Sequence, residues 1–261
     1  MPAYRLTLEY DGTAFHGWQA QPRERTVEGA LREALHRLGE QPPRLTAAGR
    51  TDAGAHAHAQ TVGVALHRRW EPATLAAALN AHLPADVVVV AAATCAEHFH
   101  ARRDAVSRTY RYVVLCRGSR VTVARQYAWA VRGPLDVDGM RAAARALVGT
   151  HDFASFGAAT APGGTTVRTV DAAAVDHVVL GRPADRRAVE AVVLTVRANA
   201  FLRGMMRAFA GALVAVGQGR MTPAAVAQLL VEPARRESTI TVAPARGLHQ
   251  WAVTYPVTEA A

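Results

Sequence analysis

The chain has 261 residues, half of them apolar, which is enough for one large domain or two modest ones with a sizeable buried core. No stretch approaches the roughly 18 uncharged apolar residues of a membrane span, and Arg5 and Glu9 interrupt the N-terminal segment where a secretory signal would be apolar. The net charge is +9 and every basic residue is arginine, a surplus that favours a polyanionic partner through counterion release and bidentate phosphate contacts.

In chain order, Tyr4, Leu6, Leu8 and Tyr10 alternate with polar residues and predict a half-buried strand closed by a turn at Asp11-Gly12. Val27, Leu31, Ala34, Leu35 and Leu38 recur at helical spacing, with Thr26 as N-cap and Gly39 just past the end. A strand over Gln60–Leu66, a short helix opening near Pro72, and a buried strand over Asp86–Ala92 follow. The second half is expected to hold a strand over Arg108–Cys116, a helix capped by Asp136 and stopping at Gly149, and a strand over Val189–Val196. A long apolar helix over Phe201–Val216, a shorter one from Thr222-Pro223 and a closing strand over His249–Tyr255 complete it. The similar element order of the halves predicts an α+β chain of two lobes, residues 1–104 and 105–261. Each is related to a split βαβ unit of the ferredoxin-like kind, their antiparallel sheets meeting edge to edge. The Gly- and Pro-rich segment Thr160–Thr166 reads as a flexible loop.

Chemistry concentrates in Gly49-Arg50-Thr51-Asp52-Ala53-Gly54-Ala55-His56-Ala57. A carboxylate between glycines admits a substrate close to the backbone, and a nearby guanidinium favours its ionised form, as a nucleophile or base needs. A structural turn with an ion pair fits the same pattern. His56 with His58, and His98 with His100, alternate in a way that would suit a metal, but no third or fourth ligand stands at a telling spacing. His56 is instead expected to brace the Asp52 loop. Cys95 and Cys116 form no CxxC pair, and there is no P-loop or dinucleotide fingerprint.

The Gly49–Ala57 run resembles the active-site signature of the tRNA pseudouridine synthase A family. So do, in order, Tyr10–Gln19, Thr26–Leu31, Leu79–Pro84, Phe99–Arg102, Tyr110-Arg111-Tyr112, His151–Phe156, Asn199–Leu202, Met206-Arg207 and Gly247-Leu248. The stretch after Phe156, where the family usually has an arginine and a nearby cysteine, departs from it with Gly157-Ala158-Ala159-Thr160. The resemblance implies an isomerase that converts uridine to pseudouridine at positions 38, 39 and 40 of the tRNA anticodon stem-loop. It also implies a cytoplasmic homodimer working without cofactor, metal or membrane, its helices on one side of the sheets and its active-site cleft between the lobes. Asp52 takes the nucleophile's place, adding to C6 or C1′ or acting through a glycal. Tyr110 corresponds to a tyrosine that stacks on the uracil, Arg207 to an arginine paired with the aspartate, and Leu248 to an apolar residue against the target ring. Arg50 either fills the gap left by the extruded base or is a plain charge partner of Asp52. A non-catalytic tRNA-binding protein on the same scaffold and a metal-dependent hydrolase using the alternating histidines are the competing readings.

Overall fold

A computed structural model describes residues 1–41, 44–117, 120–161, 163–180, 189–233 and 240–256. The chain is mixed α/β and divides into two compact units, one formed by Met1–Val106 with the segment from Gln250 onward, the other by Ser107–His249.

In the first unit, β1 (Ala3–Tyr10) runs antiparallel to both β3 (His56–Ala65) and β4 (Val87–Cys95), so that Leu6 faces Val62 on one side and Ala92 on the other. A short β2 (Leu45–Ala47), absent from the sequence expectation, pairs with β3. The alternating Tyr4, Leu6, Leu8 and Tyr10 are all buried on one face, against Val27, Leu31 and Leu35 of α1 (Val27–Arg37) and Leu75 and Leu79 of α2 (Pro72–Asn80). Local chemistry sets the helix ends. Thr26 accepts from Gly29 N at the start of α1, and Glu71 from Thr74 N at the start of α2. The Asn80 side chain closes α2 onto β4 by bonding both Val89 N and Val89 O. Below α1, the fully buried Glu40 accepts from His67 N, Arg68 N and Trp70 Nε1.

The second unit is built on β5 (Ser107–Arg117), antiparallel to β9 (Val189–Ala198), which pairs in turn with β8 (Val167–Leu180), and β8 with β7 (Gly149–Asp152). On the other side β6 (Trp129–Arg132) lies parallel to β5, a departure from the all-antiparallel expectation. The alanine-rich β8 carries no clear alternation, which hid it in the sequence; its ladder to β9 holds it extended. Asp136 caps α3 (Val137–Ala146) by accepting from Gly139 N. The apolar helix α4 (Met205–Gly217) starts four residues later than its apolar run predicts, because Gly204 takes a left-handed φ of +77° that breaks the helical path. Phe209 of α4 meets Phe153 and Phe156 edge-on at 5.5 and 5.0 Å. Helix α5 (Pro223–Val231) follows, capped by Thr222. The last strand, β10 (Leu248–Thr254), brings Gln250 and the residues after it into the first unit beside β3. In the Thr160–Thr166 segment, Pro162 lies outside the described residues.

Candidate active site

Asp52 lies half-buried on the connection from β2 to β3, and the backbone around it is held from several sides. Ala48 N donates to Thr61 O, Trp18 N to Thr51 O, Gly54 N to Phe15 O, and Ala55 N turns back to Asp52 O, at 2.9 to 3.1 Å. The buried Tyr10 and Thr51 hydroxyls share a 2.8 Å hydrogen bond, and Gln60 Nε2 donates to Gly49 O at 2.7 Å. Much of this brace comes from the loop after β1, the Tyr10–Gln19 run. Two glycines let the loops touch. A Cβ on Gly12 would stand 1.8 Å from Ala55 O, and Gly17, at φ +87°, faces Thr51 O so closely that a Cβ would come within 2.6 Å.

That bracing loop is itself pinned. Arg25 grips Asp86 with both guanidinium nitrogens at 2.7 and 2.8 Å and lies 3.9 Å from the Phe15 ring centre, while Asp11 N donates to Asp86 O. His56, 3% exposed, receives Gly12 N on Nδ1 at 3.1 Å, with Asp11 Oδ1 3.2 Å from the same nitrogen. It therefore ties the start of β3 to the loop after β1, where the sequence expected it to brace the Asp52 loop. His58 is exposed and stacks near Trp251, the ring centres 4.5 Å apart. The two alternating histidines thus have different surroundings, because the turn after β1 covers only the first. Among the described residues no group of three or more His, Cys, Asp or Glu could hold a metal ion. Nor is any helix among them long and apolar enough to cross a membrane. Arg50 is exposed, and its side chain has no hydrogen bond or ion pair among the described residues.

The remaining residues singled out in the sequence belong to the second unit. Tyr110, on β5, is 7% exposed and meets Phe201 edge-on at 4.7 Å. Two residues along the same strand face, the Tyr112 hydroxyl donates to Pro244 O at 2.7 Å. Burial pushes the Tyr112 phenol well above its ordinary range, against the pull of Arg207 and Arg246. Arg207 Nε donates to Ala243 O at 2.7 Å, and Ala243 N returns to Arg207 O. Gly247 packs on the Tyr112 ring and leads into the buried Leu248. Arg207 and Gly247 thus lie beside Tyr112, a residue quoted in the sequence motif but given no role there. Gln60 was also passed over; its one signal was an amide just ahead of the apolar run Val62–Leu66.

A family model described as tRNA pseudouridine synthase matches residues 7–104 and 143–256. Proteins named tRNA pseudouridine synthase A are similar to the chain along nearly its whole length. One from Methylobacterium nodulans is 43% identical over 98% of this chain and 97% of its own. One from Cereibacter sphaeroides is 41% identical over 98% of both, and one from Pelobacter propionicus 39% identical over 98% of this chain and 100% of its own. The chain belongs to the tRNA pseudouridine synthase family. It is an isomerase of the kind that converts uridine to pseudouridine.

Proposed function

We propose that the chain isomerises uridines 38, 39 and 40 in the anticodon stem-loop of tRNA, with Asp52 as the nucleophile. The reaction breaks N1–C1′, turns the uracil, joins C5 to C1′, releases the C5 proton and leaves a proton on N1. It consumes no redox equivalent and no nucleotide. What carries the reading is the bracing of Asp52: a half-buried carboxylate on a backbone fixed by Trp18, Tyr10, Phe15 and Gln60 is organised before substrate arrives. Both candidate additions, at C6 and at C1′, use that oxygen as nucleophile; the glycal course uses it as the base at C2′, and a deuterium isotope effect there selects it.

Arg50, exposed and without a side-chain partner among the described residues, is available to fill the space of an extruded base, which favours this role over that of charge partner. Tyr110, held edge-on by Phe201, supplies a stacking ring; Arg207 pairs with Asp52, and Leu248 backs the uracil. The active form is a cytoplasmic homodimer. Neither cofactor nor metal takes part.

The test is tritium release from tRNA carrying 5-tritiated uridine at these positions. Wild type releases one tritium per modified site, and Asp52→Ala lowers the rate by at least about 10³-fold. Undiminished release by Asp52→Ala removes the nucleophile assignment. Pseudouridine mapped elsewhere in the treated tRNA removes the position assignment.

A further inference from the structure

Two buried glutamine side chains run from the last strand of the first unit to the loop that carries Asp52. Gln250 on β10 and Gln60 on β3 are both 0% exposed, although 190 residues separate them. Gln250 Nε2 donates to Gln60 Oε1 at 3.1 Å, and Gln60 Nε2 donates to Gly49 O at 2.7 Å. The direction of both bonds is fixed at one end. A backbone carbonyl only accepts, so the Gln60 NH₂ must face Gly49, its oxygen must face Gln250, and the Gln250 NH₂ must face that oxygen. Gln250 Oε1 is then left buried with no hydrogen-bond partner among the described residues. Gln60 stands opposite Leu8 in the β1–β3 ladder, in the middle of an apolar core. A buried amide oxygen without a partner costs about 1–3 kcal/mol.

We infer that the Gln250–Gln60 pair is a positioning relay for the catalytic carboxylate. It fixes the Gly49 carbonyl, and through it the chain path three residues on at Asp52. The inference rests on the reading of Asp52 as nucleophile. The other bonds of the loop reach Ala48, Thr51, Asp52 and Gly54. Gly49 is the point at which the chain enters the loop from β2, and Gln60 is the side chain that holds it. Released there, Arg50 and Asp52 gain freedom while the fold's core stays packed. A shift of about 1 Å in a reacting group costs roughly 10²-fold in rate.

Three variants test this by tritium release and by melting. Gln60→Met, near in volume but without a donor, lowers kcat about 10- to 100-fold and leaves KM for tRNA within about threefold. Gln250→Met, which leaves the Gln60–Gly49 bond in place, lowers kcat about 3- to 10-fold. Gln60→Glu is the diagnostic one. Burial favours its neutral carboxyl, which can donate to Gly49 O, whereas the carboxylate repels that oxygen. Its kcat relative to wild type therefore climbs at least about fivefold as pH falls from roughly 8 to 6. A merely structural amide would lower the melting temperature without giving that profile.

Amide exchange gives a second readout that needs no turnover: protection at Thr51–Gly54 falls at least about tenfold in Gln250→Met. Wild-type kcat in Gln60→Met, a flat pH ratio in Gln60→Glu, or unchanged protection overturns the relay while Asp52→Ala remains inactive. Full release by Asp52→Ala overturns the nucleophile reading and the relay with it.

Discussion

Replacing Gly12 by alanine tests whether the loop after β1 sets the position of Asp52. The added Cβ would stand 1.8 Å from Ala55 O. A carbon and a carbonyl oxygen at rest stay roughly 3.3 Å apart, so the two loops must separate by about 1.5 Å. Neither side yields easily. Gly12 N is bonded to His56 and Asp11 N to Asp86 O, while Ala55 N closes the turn on Asp52 O. The clash is between backbones, so no rotamer relieves it. Overpacking of this kind costs about 1–3 kcal/mol of stability. Displacement of the carboxylate by about 1 Å or more lowers kcat about 10²-fold, or roughly 2.7 kcal/mol in the barrier. Single-turnover tritium release measures the rate, and a melt measures the stability. A Gly12→Ala protein with kcat within threefold of wild type would show that this contact does not position the site.

Glu40→Gln probes a buried charge. Burial opposes ionisation of Glu40, yet the N–H groups of His67, Trp70 and Arg68 outweigh it and hold the carboxyl below its ordinary value. A lowered folded-state pKa gives stability that is present above the unfolded pKa and lost as pH falls through the folded one. The variant should therefore be about 1.5–3 kcal/mol less stable at pH 7, with the gap narrowing below about pH 4.5; denaturant melts at both pH values check this. Tyr10→Phe removes the 2.8 Å bond to Thr51 and should cost about 1–2 kcal/mol in the same melts. Arg50→Ala should slow release from an intact anticodon stem several-fold more than from an unstructured oligonucleotide, since only the stem charges an unstacking cost of a few kcal/mol. Equal slowing on both substrates would assign Arg50 to the chemistry instead.

What the sequence disclosed and what it hid divide by range of interaction. Thr26, Asp136 and Thr222 stand where helices begin because a hydroxyl or carboxylate three residues before an N–H can cap it, and all three do. The alternation of β1 is visible because one of its faces is buried and the other is not. Strand β8 has no such contrast, since its exposed positions include Ala172, Val178 and Val179, and only pairing with β9 reveals it. The start of α4 was hidden because its apolar run passes through Gly204, which takes φ +77° and breaks the helical path. At the site, the Asp52 run was legible as polar residues between glycines, and the Tyr10–Gln19 run as a second motif. That one holds the other was not legible, because Trp18 N to Thr51 O and Gly12 against Ala55 O are contacts of backbone atoms, which every residue has. Gln60 and Gln250 were hidden for the same reason of distance.

The first unit is not one continuous stretch of chain: it leaves at Val106 and resumes at Gln250, with the whole second unit inserted between. Since translation runs from the N-terminus, the ribosome makes β1, β3 and the Asp52 loop first and supplies β10 only after the whole second unit. A nascent chain paused anywhere in the second unit exposes the part of the β3 edge that β2 leaves uncovered, an opening for a chaperone or for mispairing. Cutting the gene at the junction does not isolate the first unit, because the piece that ends at Val106 has left one of its own strands behind.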